Sequence, residues 1–496
     1  MKDIHVIIEG MRNGNMDVRI EGIKLYKNSF QCKDGVKVMM AKLQGEKVLL
    51  AVGEGQLCND LQGQEENGYK ICPLIHENRR TLNKYFDFTV PRAFGQEMAT
   101  MGFGDRLGLA SPGHIKTIKG KEIRPVLAQQ SIRELNLTGR TYQDVLDAAS
   151  FAVFQEGYQD GFGADGDHLK TPEDIKMALD LGFTMITLDC SEKIDNTISQ
   201  LSIREIQQKY ELLPSALRKQ YEAYYLNKEF QLMGDTLYFD RETLMKNVLI
   251  YEKAIDFMIS IYNTYIMKAG RQIDFEISID ETETPTTPEA HYFVAREIYS
   301  KDVSITSMAP RFCGEFQKAI DYIGDLAQFE REFKVHKEIA DTFGYKVSIH
   351  SGSDKFSVYP IIEQYTKGRF HVKTAGTNWL EAMRVMAKVN PSLYRRMHQY
   401  ALDHFQEAKA YYHVTTDIQR ITPLENVTDE DLPTYMDENN ARQLIHITYG
   451  ILLQAVNKNG EYLFKDEFFK TLEIYEEEYD KALITHIGKH IALLGK

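Results

Sequence analysis

The sequence predicts an α/β protein built on a (β/α)8 TIM-type barrel, and three observations carry the prediction. From about residue 96 to 390, short β-like runs alternate with helical stretches, as a parallel sheet requires. The runs are 104–110, 123–129, 161–167, 183–189, 273–280, 304–309, 346–350 and 370–374, and eight strand–helix units are the number that closes such a barrel. Helix-start signals fall between them. Thr171 precedes Pro172 with Asp174 three residues on, and Thr141 with Asp144 repeats the spacing of a capping pair.

The remaining segments fit around this core. Residues 1–95 read as an N-terminal lobe of short strands, at 3–9, 18–26 and 37–52, punctuated by Gly, Asn and Asp. Between the fourth and fifth barrel strands, residues 191–247 form a polar helical insertion rich in Gln, Glu, Lys and Tyr. It reads either as a lid or subunit contact over the strand C-terminal ends, which is compatible with a homo-oligomer, or as a solvated arm. Residues 391–496 read as an extension of amphipathic helices packed around the barrel.

Composition narrows the class. The chain has 496 residues, 43% hydrophobic and 26% charged, which is ordinary globular composition and excludes a disordered or fibrous chain. With 59 Lys+Arg against 72 Asp+Glu the formal charge is −13, a poor match to nucleic acid or an anionic membrane. Five scattered cysteines without a CxxC pair argue against a disulfide framework and a cysteine-zinc site. The opening MKDIHVIIEGMRNGN lacks the apolar core of a signal peptide, and no run approaches a membrane span. The expectation is a cytoplasmic enzyme acting on a small molecule. P-loop, GxSxG and HExxH patterns are absent, and no dinucleotide fingerprint stands in context.

Barrel strands send alternate residues inward. In the fifth run Phe275, Ile277 and Ile279 face the helices, so Glu276, Ser278 and Asp280 face inward. Buried carboxylates need a partner or a metal, which makes Glu276 a catalytic or ligand candidate and Asp280 either a ligand-binding or a loop-positioning acid. In the seventh, Ser348 and His350 face inward, ahead of Ser351-Gly352-Ser353-Asp354-Lys355, a loop that resembles an anion cradle. In the eighth, His371 and Lys373 face inward. Two imidazoles of inward parity on adjacent strands suggest a shared site for Zn, Mn, Ni or Fe. The third run ends in Asp167-His168, where His168 is a third imidazole and Asp167 either orients it or acts as a base; Asp165 reads as a turn cap. Asp189, Arg311 and Gln129 close the fourth, sixth and second runs, with Gln130 beside the last and Asp105 and Arg106 in the first. Polar groups at strand ends fit sugar hydroxyls and a structural network equally.

These blocks, GFGADGDHLKTPEDI, FTMITLD, FEISIDETETPT, GDLAQFERE, SIHSGSDKFSVYP, FHVKTAGTNWLEA and DHFQEA in this order, resemble the tagaturonate epimerase family. The likeness runs from about Gly102 to the C-terminal helices; the first ~95 residues match loosely. The family includes enzymes that interconvert tagaturonate and fructuronate, and close relatives are tagatose/fructose 4-epimerases. The resemblance implies one divalent metal (Zn, Mn or Ni) on His168, His350 and His371, with Asp167 and Glu276 as the acid/base pair. Their places at the strand ends and loops make Gln129, Asp189, Asp280, Arg311, Ser353, Asp354, Lys355 and Lys373 the substrate-binding candidates, and Lys355, Lys373, Arg311 or Arg106 could supply the cation that a hexuronate carboxylate needs. The inverted carbon of these sugars is β to the ketone, so its C–H is not acidified by enolisation. Retro-aldol cleavage and re-addition is therefore the expected route, ahead of transient oxidation by NAD. A neutral ketohexose epimerase and a metal-dependent aldolase are the alternatives.

Overall fold

The structure, a computed structural model, describes residues 2–496. The chain divides into two compact units. The first holds the residues up to Arg92 with Phe103–Ala164 and Ala375–Lys489; the second holds Ala93–Gly102, Asp165–Thr374 and His490–Lys496.

The first unit contains an antiparallel sheet of β1 (Ile23–Lys33), β2 (Val36–Leu43), β3 (Glu46–Val52), β4 (Gln64–Glu66) and β5 (Tyr69–Pro73), in the order β1-β2-β3-β5-β4. Its hairpins turn on Asp34-Gly35, Gln44-Gly45 and Asn67-Gly68, every one of these residues at positive φ, as two-residue turns between twisted strands demand. Alternation along β2 and β3 makes both faces apolar. Val38, Met40, Leu49 and Ala51 join Phe151 and Phe154 on one side, while Met39, Val48, Leu50 and Val52 meet Ile7, Ile8 and Met11 on the other. Those last residues correct the expected strand at 3–9, because Lys2–Asn13 is a helix. Ile4, Ile7, Ile8 and Met11 recur at the three-to-four spacing of one helix face, which outweighs the β propensity of Ile and Val.

The parallel barrel strands are β6 (Thr100–Phe103), β7 (Arg124–Ser131), β8 (Gly163–Leu169), β9 (Met185–Asp189), β12 (Asp274–Ile279), β13 (Ser307–Pro310), β14 (Lys346–Ile349) and β15 (Phe370–Thr374), and the sheet closes. The inserted hairpin of β10 (Lys228–Gln231) and β11 (Thr236–Phe239) stands apart from it. The first barrel strand lies ahead of the expected 104–110. That segment is instead a loop wound around Asp105, whose carboxylate accepts from the N–H groups of Leu107, Gly108, Ala110 and Ser111. The eighth strand coincides with its expected range, and Thr141 and Thr171 cap their helices as the spacing predicts.

The insertion begins at the functional rim and leaves it. Asn196 and Gln200 hydrogen-bond Glu283 of the loop after β12. Farther on, Tyr225 bonds Glu297, and the hairpin tip, Gly234 and Asp235, reaches Glu338 and Lys334. Most of the arm thus rests on the outer helices Pro288–Tyr299 and Leu326–Phe343.

Candidate active site

Within the second unit, charged side chains converge at the C-terminal halves of β8, β9, β12, β14 and β15, where a barrel of this kind builds its active site. Strand β8 is irregular. Its register to β9 shifts between Gly166 and Leu169, and His168 adopts φ 53°. Such a bulge re-aims one side chain, so Asp167 and His168, neighbours that alternation would separate, both join the cluster.

Lys373 is its hub. Its ammonium donates to Asp165 at 2.8 Å and Asp167 at 2.7 Å, bonds Thr187 Oγ1, and lies 3.0 Å from Glu276. Burial disfavours its charge, but these three carboxylates hold its pKa well above the ordinary value. Glu276 is wholly buried. Its oxygens accept from Ser307 at 2.5 Å, Thr187 at 3.2 Å and His350 Nε2 at 2.8 Å. Against burial, Lys373 and His350 keep it well below the carboxylate range. Burial likewise opposes ionisation of Asp167, yet Lys373 and His168 bring it down to about 2. Burial and the like charges of Asp167 and Glu276 push Asp165 up to about 6 despite Lys373. Asp167 Oδ2 takes part in no hydrogen bond among the described residues, whereas Asp165 Oδ2 accepts from Lys373 and both Asp165 oxygens lie 3.0 Å from the Thr187 hydroxyl.

His168 and His350 stand edge to face, with ring centroids 4.8 Å apart. His350 donates Nε2–H to Glu276, and its Nδ1 lies 3.2 Å from Asp280. His168 Nδ1 lies 3.5 Å from Asp189. Both Nδ1 atoms are buried, and neither contact has the alignment of a hydrogen bond. Close, misaligned donor atoms fit a shared cation: two arms of about 2.0–2.1 Å at a tetrahedral angle place their atoms about 3.3 Å apart. Ligand atoms of His168, Asp280 and His350 all lie within 4.8 Å of one another, as do those of His168, Asp189 and Glu281. Glu276 behind His350 stands where a carboxylate orients an imidazole that binds a metal. Burial and Lys373 oppose a charged His350, but Asp280 and Glu276 raise it to about 10, so a metal would displace a proton there.

The other candidates separate. His371 has the expected inward parity, but its register partner is Ser348, two residues below His350. There it bonds Thr100 at 2.9 Å, and burial drives its pKa to about 3. It belongs to neither His168 group. Lys355 is wholly buried, and its ammonium donates to the carbonyls of Gln317, Ile320 and Ser353. The segment expected to cradle an anion is thereby fastened by its own lysine. Asp354, at φ 64°, donates its N–H to His490. Gln129 lies buried on β7 in the first unit, its Oε1 without a hydrogen bond. Arg311 follows β13 directly. Asp165, read as a turn cap, is instead an interior acid on β8. Thr187 and Ser307 escaped the sequence reading; inward parity from Asp189 would have found Thr187.

Comparison with known proteins identifies the family. The model of the family UxaE, tagaturonate epimerase, matches residues 26–494. A tagaturonate/fructuronate epimerase from Thermotoga maritima is 44% identical over 479 residues, covering 95% of this chain and 97% of its own. The native crystal structure of the fructuronate-tagaturonate epimerase UxaE from Cohnella laeviribosi is 60% identical, covers 100% of this chain and 99% of that one, and superposes with a TM-score of 0.96. A glycerol complex of the same enzyme gives 60% identity, 100% of both chains and a TM-score of 0.96. Family model, relative and solved structures span nearly the whole chain, and the protein belongs to the tagaturonate epimerase family.

Proposed function

We infer that the protein interconverts D-tagaturonate and D-fructuronate, and we propose that it does so by retro-aldol cleavage and re-addition at a divalent-metal site. The family membership supports the activity. The observation that carries the mechanism is the pairing of two uncommitted imidazole nitrogens with a base held beside an ammonium.

His168, His350 and Asp280 are the residues that would hold the metal, with Asp189 against His168. Their nitrogen and oxygen donors suit Zn, Mn or Ni. When bound, the metal supplies Lewis-acid polarisation of the ketone and stabilises negative charge developing on its oxygen.

Asp167 is ionised, and one of its oxygens is uncommitted. It accepts the proton of the hydroxyl on the carbon β to the ketone. The bond between carbons 3 and 4 breaks, its electron pair enters the enediolate, and carbon 4 becomes an aldehyde. Rotation of the aldehyde presents its other face, the bond re-forms, and Asp167 returns the proton to the new alkoxide. Lys373 keeps Asp167 charged and in place throughout. Glu276, with both oxygens engaged, orients His350 and neutralises Lys373. In this reading the acid/base pair implied by the resemblance divides into a proton-transferring Asp167 and a positioning Glu276.

The test is turnover of tagaturonate in D2O, followed by NMR and preceded by metal loading. The expected result is full epimerisation without deuterium at the inverted carbon, because its hydrogen stays on as the aldehyde hydrogen. Deuterium entering that carbon at the rate of turnover overturns the mechanism. NAD released on denaturation would point to transient oxidation instead.

A further inference from the structure

We propose that Arg311 is the residue that reads the substrate's carboxylate and so makes this site one for sugar acids. The proposal rests on the epimerase reading above. A hexuronate differs from a neutral ketohexose by one anionic group, and it must enter a cluster that already holds Asp165, Asp167, Asp189, Glu276 and Asp280. Like charges repel strongly where water is scarce, so the incoming carboxylate needs a cation of its own.

The lysines around the cluster are otherwise engaged, among them Lys318, which donates to Ser351 Oγ, next to His350, at 2.9 Å. Lys373 is shared by Asp165, Asp167 and Glu276. Lys355 is spent on three backbone carbonyls. Lys170 bonds Ser191 and faces Asp189 and Glu281. Lys346 lies low in the barrel against Met98 O and Thr100. The Arg311 guanidinium, partly exposed, makes no hydrogen bond or ion pair with any described residue.

Its placement suits the role. Pro310 pairs in register with Ile279, so Arg311 comes level with Asp280 at the rim. Ser307 turns inward to Glu276, and the alternation of β13, continued one residue past its end at Pro310, gives Arg311 the same parity. Its backbone is clamped to the loop after β12: its N–H donates to Thr286 Oγ1 at 3.0 Å, and Thr286 N–H donates to its carbonyl at 2.8 Å. A fixed main chain carrying an uncommitted planar fork is what bidentate capture of a carboxylate calls for.

The experiment compares Arg311→Gln and Arg311→Lys with wild type on tagaturonate and fructuronate, and on the neutral sugars tagatose and fructose, with bound metal measured alongside. The expected result for Arg311→Gln is a loss in kcat/KM on the order of 10²-fold for the acids, mainly in KM, because a site built to bind a group rejects ligands it can no longer pair. The neutral sugars should change by less than about 3-fold and metal content not at all, with Arg311→Lys intermediate since it keeps charge without the fork. Equal losses on both substrate classes, or unchanged kinetics on the acids, overturn the proposal. So does an acid-selective loss in Arg106→Gln with none in Arg311→Gln. If wild type turns over the neutral sugars too slowly, dissociation constants of a non-reacting hexonate and the matching hexitol replace the kinetics. Weakened binding of the hexonate alone is then expected, and equal or absent weakening of the two overturns the proposal. Wild-type turnover of tagaturonate checks the epimerase reading separately.

Discussion

Two pairs of histidines face each other in the second unit, and their environments make them different chemical objects. At the barrel rim His168 and His350 have ring centroids 4.8 Å apart; between the helices Pro288–Tyr299 and Leu326–Phe343, His291 and His336 are 5.1 Å apart. All four are packed in protein. The rim pair has Asp167, Asp189, Asp280 and Glu276 around it. The inner pair bonds through Nδ1 atoms at 2.9 Å, and Tyr345 Oη lies 2.7 Å from His291 Nε2. Burial disfavours an imidazolium in both places. Carboxylates reverse that at the rim and raise His168 and His350. Without them the inner pair stays neutral, His291 well below its ordinary value and His336 down to about 4. In this protein the carboxylates around the rim pair separate a candidate metal site from a buried, hydrogen-bonded pair of imidazoles.

The sharpest way to press this contrast is to remove the base beside the rim pair. Asp167→Asn should cut kcat/KM by on the order of 10²–10⁴, as loss of a positioned acid/base does, while metal analysis shows the site still loaded. Activity near wild type would strip Asp167 of its role.

Next come matched changes within the pairs. His350→Ala should lower both metal content and activity by at least about 10–100-fold, the range seen even for supporting groups of metal sites. His291→Phe should leave metal and turnover within about 3-fold and instead lower stability by about 1–3 kcal/mol, because Tyr345 and His336 lose a buried partner. Metal loss in His291→Phe would erase the distinction.

Acid should separate the pairs again. The metal-free His350 holds its extra proton up to about pH 10, so apparent metal affinity should fall as pH drops from 8 to 6, with protons released on binding. The inner pair has depressed values, so its contribution is present above the unfolded histidine pKa of about 6.5 and is lost as pH falls toward about 4. Denaturant melts of the metal-free protein across that window should show the decline, and His336→Phe should flatten it.

The smallest effect is expected at Thr187, whose hydroxyl links Asp165, Glu276 and Lys373. A hydrogen bond to a charged group is worth about 1.5–3 kcal/mol, and at the low end of that range Thr187→Val should slow turnover by about tenfold and leave metal bound. A loss as large as that in Asp167→Asn would move Thr187 from support to chemistry.

Much of this was legible in the chain because periodicity is a local property. Eight strand–helix units predicted the barrel, Phe275, Ile277 and Ile279 predicted that Glu276 turns inward, and a capping Thr at 141 and 171 set two helix starts. Parity says which face a side chain takes, but not its height in the barrel. Register between strands is a long-range pairing, and it alone put His371 opposite Ser348, one layer below His350. The bulge at His168 reversed a local alternation through contacts with β9. The fate of Lys355 depended on Gln317 and Ile320, far away in sequence. Local pattern in the chain was thus enough for the architecture, the family and the roster of charged residues able to do chemistry. Which of them share one cluster, and which are spent holding loops, waited on the folded molecule, because a charge's pKa and its freedom to bind are set by neighbours that the fold brings from other strands.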